Sequence, residues 1–210
     1  FKRRGAIMSL RKRVIATALA AVMVLGASVG VNAAANPSAT SQVTSVQTAD
    51  QTEPWYKTDA KIEETEAFKT LETTAPEVAS LIKDVNAGNV KTMTDFVAKL
   101  NELQAKLTDQ TAIDALKTVI EGLAGKDFVT GFFDLEKLTP AQKNANGKYE
   151  PTIKVPALTD KSENVMLLHY STERNVWELV KPSKVDLTAK TITAEFDDLS
   201  PVAVIADEVK

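Results

Sequence analysis

Near Gly125 the apolar residues change their spacing from a period of 3.6 to a period of 2, which divides the chain into a helical part and a stranded part. Before it, Ile62, Phe68 and Leu71 mark a short first helix. Val78, Leu81, Ile82 and Val85 share one face of a second, for which Thr74-Ala75-Pro76-Glu77 reads as a capping box. Gly88 stops it. Asn89 is placed to cap a third helix with Met93, Val97, Leu100, Leu103 and Leu107 inward. Thr108 or Asp109 is placed to cap a fourth, with Ile113, Leu116, Ile120 and Leu123 inward. The turn at Thr108–Gln110 breaks any sustained heptad, so these stripes are read as core packing and not as a coiled-coil partner face.

After Gly125, Tyr149, Pro151, Ile153 and Val155 alternate with polar residues, as do Ile192, Ala194 and Phe196, the pattern of half-buried strands. Val165–Tyr170 and Val202–Ala206 are apolar on both faces, as central strands are. Phe128–Leu135, Asn175–Val180 and Val185–Thr188 are further strand candidates, and the turn Ser171–Asn175 predicts a hairpin that links Val165–Tyr170 to Val176–Val180. The expected fold is α+β: a small N-terminal helical bundle in residues 55–125, followed by a C-terminal antiparallel β-sandwich-like domain in residues 126–210.

What precedes the helices reads as an export signal. Arg11, Lys12 and Arg13 stand before an apolar stretch from Val14 to Leu25, followed by the small-residue run Val31-Asn32-Ala33-Ala34-Ala35. Residues 1–35 are therefore expected to be a signal peptide cleaved after Ala33 or Ala35, with no membrane anchor left after cleavage. The uncleaved alternative is a spanning helix over Val14–Val31. Leu25-Gly26-Ala27-Ser28 lacks the cysteine that lipid attachment needs. Asn36–Pro54 is rich in Ser and Thr, with Val43 and Val46 its only large apolar residues, and is expected to be a disordered tether.

The chain carries 25 basic and 28 acidic residues, and Lys2, Arg3, Arg4, Arg11, Lys12 and Arg13 all fall in the leader. Processing would leave 19 bases against 28 acids, with Arg174 the single arginine. A product of that charge, poor in the guanidinium groups that read phosphates and base edges, is not expected to bind nucleic acid. Cysteine is absent, which removes disulfides, thiolate nucleophiles and cysteine-ligated metals.

Three stretches carry a resemblance: Leu167-Leu168-His169-Tyr170-Ser171, Val176-Trp177-Glu178, and Asp198-Leu199-Ser200-Pro201-Val202-Ala203-Val204-Ile205. Together they are similar to a C-terminal β module of secreted and surface proteins from Gram-positive gut bacteria. The resemblance covers roughly Phe128–Asp207 and implies an extracellular β-domain with no known activity. It is also weakly similar to ZU5-like β-domains, some of which cleave their own chain at a serine that follows a His-Phe pair. Here Asp198-Leu199 occupies those two places, and the activating histidine of that motif is missing.

His169 is the only histidine, so a histidine-based general base or metal site has to use it. In the strand Val165–Tyr170 it shares a face with Val165 and Leu167 and is read as a packed, hydrogen-bonded side chain. A catalytic triad would need the fold to bring a serine and a carboxylate to it. Ser171 and Ser200 are available, but neither lies in a Gly-x-Ser-x-Gly elbow. Ser200 is expected to hydrogen-bond backbone in the turn before the last strand. Asp197-Asp198 and Asp160-Lys161-Ser162-Glu163-Asn164 offer oxygens but lack the spacing of a calcium loop. No catalytic residue, metal ligand or cofactor is expected. Trp177 is read as core. Trp55 and Tyr56, where the tether meets the helices, either staple the tether down or form a candidate ligand surface.

The resulting expectation is an exported non-enzymatic protein, a surface-associated or released binding or structural component. Its conceivable partners are cell-wall glycan, host glycan or another envelope protein. The alternatives are an extracellular hydrolase with a carboxylate-lined cleft and an envelope assembly module that pairs strands.

Overall fold

The computed structural model describes residues 46–47, 55–138 and 141–207. The expected signal peptide lies outside them, as does most of the expected tether. The described residues form a mixed fold of four α-helices and two antiparallel sheets. The helices are α1 (Glu66–Thr74), α2 (Pro76–Asn86), α3 (Met93–Gln104) and α4 (Gln110–Gly122). The strands are β1 (Val46–Gln47), β2 (Tyr56–Asp59), β3 (Lys126–Phe128), β4 (Asp134–Lys137), β5 (Thr152–Lys154), β6 (Met166–Ser171), β7 (Val176–Val180), β8 (Lys184–Asp186), β9 (Thr191–Thr193) and β10 (Val202–Asp207).

One sheet has the order β4-β2-β1-β5-β9-β8 and the other β3-β10-β6-β7. The smaller sheet is apolar on both faces, and its alternating residues supply two cores. Leu168, Tyr170, Trp177, Ala203 and Ile205 join Phe68, Ile82, Phe96 and Leu116 of the helices. Leu167, Val202, Val204 and Ala206 join Tyr56, Leu135, Ile153 and Ile192 of the larger sheet. The helices therefore share their core with the smaller sheet. Helix α4 lies so close to β7 that a Cβ on Gly122 would meet the end of the Leu179 side chain.

Several boundaries differ from the sequence expectation, each for a local reason. Tyr56–Asp59, expected to begin the helical region, pairs with β4 as a strand, and Val46–Gln47 of the expected tether bridges β2 and β5. The capping box expected at Thr74 does not form. Thr74 closes α1 with its hydroxyl on the Thr70 carbonyl, and α2 starts from Ala75 with Pro76 in its first turn. Asn89 bonds Asp84 instead of capping α3, which Thr92 and Asp95 open with a reciprocal capping box. Asp109 caps α4. Leu107, expected inward, is exposed, while Phe96, passed over in the sequence, is fully buried.

The expected strand Phe128–Leu135 is two strands in different sheets, broken at Gly131. Asn86, at the end of α2, holds this crossover by accepting from Phe132 N–H at 2.7 Å and donating to the Phe132 carbonyl at 2.9 Å. A Cβ on Gly131 would approach that same amide oxygen to 2.8 Å. Phe133 then bridges Val202 of the smaller sheet before Asp134 enters the larger one.

Candidate functional site

The hairpin turn between β6 and β7, with Asn175 at a φ of 55°, sets Tyr170 opposite Trp177 and His169 opposite Glu178. On its other side His169 faces Val202 of β10, so the residues just before β10 reach the same point. The fold thus brings a serine, a histidine and a carboxylate together. His169 Nε2 is 2.7 Å from Ser200 Oγ, and Nδ1 is 3.3 Å from Glu178 Oε2. Arg174 Nη2 holds the other oxygen of Glu178 at 2.5 Å. The imidazole also stands edge-on to Phe196, with centroids 5.3 Å apart.

Although the side chains match a nucleophile, base and acid, the hydrogen bonding and the access do not. Ser200 is 0% exposed and His169 1%. Ser200 Oγ donates to the Tyr170 carbonyl at 2.7 Å. A carbonyl can only accept, and a serine hydroxyl has one proton, so this bond leaves His169 Nε2 as the donor to Ser200. In a catalytic pair the serine donates to the imidazole. Asp198, 3% exposed, accepts from Glu173 N–H at 3.3 Å and lies 3.5 Å from Ser200 Oγ. Ser171, the other serine considered, is fully buried and accepts from the backbone N–H and Nε of Arg174.

These contacts tie the turn before β10 to the β6–β7 hairpin. His169 thus reaches Ser200 from β6, 31 positions away in the chain. Sequence reasoning identified His169, its face and Ser200, but missed Glu178 and Arg174. The hairpin register alone would have placed Glu178 opposite His169.

No protein-family model matches the chain, and neither a curated protein nor a solved structure matches it. The functional reading therefore rests on the site's geometry and on the sequence.

The remaining candidates lie elsewhere. Tyr56 is 2% exposed, and its hydroxyl accepts from Glu150 N–H at 3.3 Å. Burial raises its phenol above the ordinary range, and the bond to Glu150 opposes that rise. Tyr56 is thus a core residue and no part of an exposed ligand surface. Trp55 is partly buried, packs against the same core, and accepts from Leu138 N–H at 2.7 Å through its carbonyl. Asp197 faces Arg174 and Lys148 at 3.5 Å each. In the other loop considered for calcium, Asn164 gives its carbonyl to Lys126 and its amide to Asp207. Among the described residues no group of three or more acids or histidines could hold a metal ion. No helix among them is long and apolar enough to cross a membrane.

Proposed function

We propose that this chain is an exported, non-enzymatic protein, a surface-associated or released binding or structural component. Its two sheets are read as a sandwich-like β module bearing the helices as an outer layer. The observation that carries the non-enzymatic reading is the commitment of Ser200's only proton to the Tyr170 carbonyl, in a site that solvent does not reach. A polar network of this kind, satisfied and buried, specifies one arrangement of the turn before β10. Glycans of a cell wall or host and other envelope proteins remain the proposed partners. The residues from Arg11 to Ala35 support export.

Expression in a secreting bacterial host, followed by intact-mass measurement of the released protein, tests the export reading. A mature N-terminus at Ala34 or Asn36 and an uncut chain through Lys210 are expected. A membrane-bound form that retains Arg11 would contradict export, and a fragment beginning at Ser200 would contradict a purely structural network. Pull-down with the mature protein from envelope fractions, against a Trp55→Ala control, then tests for a partner.

A second reading, an extracellular hydrolase, draws on the Ser200–His169–Glu178 geometry itself. It requires that the turn before β10 open, so that Ser200 gives up the Tyr170 carbonyl and meets a substrate.

A further inference from the structure

Asp134 stands where the three layers meet. The residue before it bridges Val202 of the smaller sheet, its own strand lies in the larger sheet opposite Asp59, and the Thr65 hydroxyl that caps α1 acts on its carboxyl. Asp134 is 0% exposed, and neither carboxylate oxygen meets a donor in hydrogen-bonding geometry. Thr65 Oγ1 already donates to the Ile62 carbonyl at 2.9 Å and accepts from Phe68 N–H at 3.2 Å. A threonine hydroxyl has one proton and two lone pairs, so Thr65 has an acceptor left to offer and no donor. A neutral carboxyl, which brings a proton of its own, suits this corner. An ionised one is acceptor-only and competes with Ile62 for Thr65's proton.

We propose that Asp134 is a proton-operated latch: its neutral carboxyl keeps the start of α1 docked on the β2–β4 corner, and its ionisation loosens that corner. The charged groups acting on it are Asp59 and Lys57 from β2 and Glu136 from β4. Lys57 is engaged by Glu136 at 2.9 Å, while Asp59 and Glu136 both disfavour a further negative charge. Burial above all, with Glu136 and Asp59 adding to it, raises the Asp134 carboxyl above its ordinary 3.8, against the opposing pull of the Thr65 hydroxyl and the Leu135 backbone N–H. The folded form therefore holds this proton more tightly than the unfolded chain. Its stabilisation is fully present below 3.8 and is lost as pH rises through the raised folded value.

Urea unfolding of the mature protein and of Asp134→Asn, followed at several pH values from about 4 to about 8, tests the latch. Asparagine cannot ionise. Through the window between the two values, the unfolding constant of the wild type should rise relative to the variant by up to about tenfold per pH unit. The amide of Phe68 should exchange faster in the wild type than in the variant at the upper end. A wild-type-to-variant ratio that stays constant over the whole range would overturn the proposal. Should the variant fail to fold, carbon-detected NMR titration of the wild-type Asp134 carboxyl decides the matter. A midpoint above the ordinary aspartate value supports the latch, and one at or below it contradicts it.

Discussion

Replacing Trp177 by alanine is expected to lower the unfolding free energy by about 3–5 kcal/mol, the range for deleting a large buried aromatic side chain. The indole is 6% exposed and sits at the centre of a cluster of rings. Phe96 stands edge-on at 5.6 Å, Tyr170 at 5.1 Å and Phe132 tilted at 5.7 Å. Phe96 comes from α3 and Phe132 from the crossover between the sheets, so the cavity would open where the helices meet the smaller sheet. With no cysteine in the chain, no cross-link offsets that loss. Trp177→Phe should cost much less, because Nε1 has no acceptor and its removal takes away an unsatisfied donor. Denaturant midpoints of the three proteins check this, and an alanine variant with an unmoved midpoint would show that the ring is not core.

The second large effect is expected from Asp207→Ala, at about 3 kcal/mol, because it strands a buried ammonium. Lys126 opens β3 and Asp207 closes β10, and the two are paired in register. Lys126 Nζ meets Asp207 Oδ1 at 2.5 Å and the Asn164 carbonyl at 2.9 Å, with the lysine side chain 2% exposed and that of the aspartate 35%. Desolvation alone would raise the Asp207 carboxyl, but the bonds from Lys126 and Asn164 outweigh it and hold the group below the ordinary range. That contribution is present above the unfolded value and is lost as pH falls through the folded one. The reverse change, Lys126→Met, should cost less than about 1 kcal/mol, because it fills the lysine's space and leaves Asp207 in contact with water. Equal losses from the two variants, measured by urea unfolding, would contradict this asymmetry.

What could be read in the sequence divides by range. Strands β6 and β10 were legible because apolar residues on both faces leave a central strand as the simplest reading, and the face of His169 followed from counting by twos. Strand β2 was not. Tyr56-Lys57-Thr58-Asp59 carries one large apolar residue, and what makes it a strand is the pairing with β4, far along the chain. Phe128–Leu135 reads as one strand because Phe128, Val129, Phe132, Phe133 and Leu135 crowd a short stretch, although Thr130-Gly131 interrupts them where the chain changes sheets. The break at Gly131 is imposed by Asn86 from α2. Capping at α3 fell to Thr92 and not Asn89 because Thr92 has an acid three residues on, which makes the bond reciprocal. For the site, the approach of Ser200 to His169 depends on the β6–β10 pairing, which no local pattern encodes.

The most direct test of whether His169, Ser200 and Glu178 form a sealed structural network is treatment of the folded mature protein with a fluorophosphonate, read by peptide mass. A hydroxyl that is fully buried and spends its proton on a backbone carbonyl should not react. No adduct on Ser200 is therefore expected under native conditions. A stoichiometric adduct on Ser200, lost in a folded His169→Gln protein, would contradict the structural reading and identify a hydrolase.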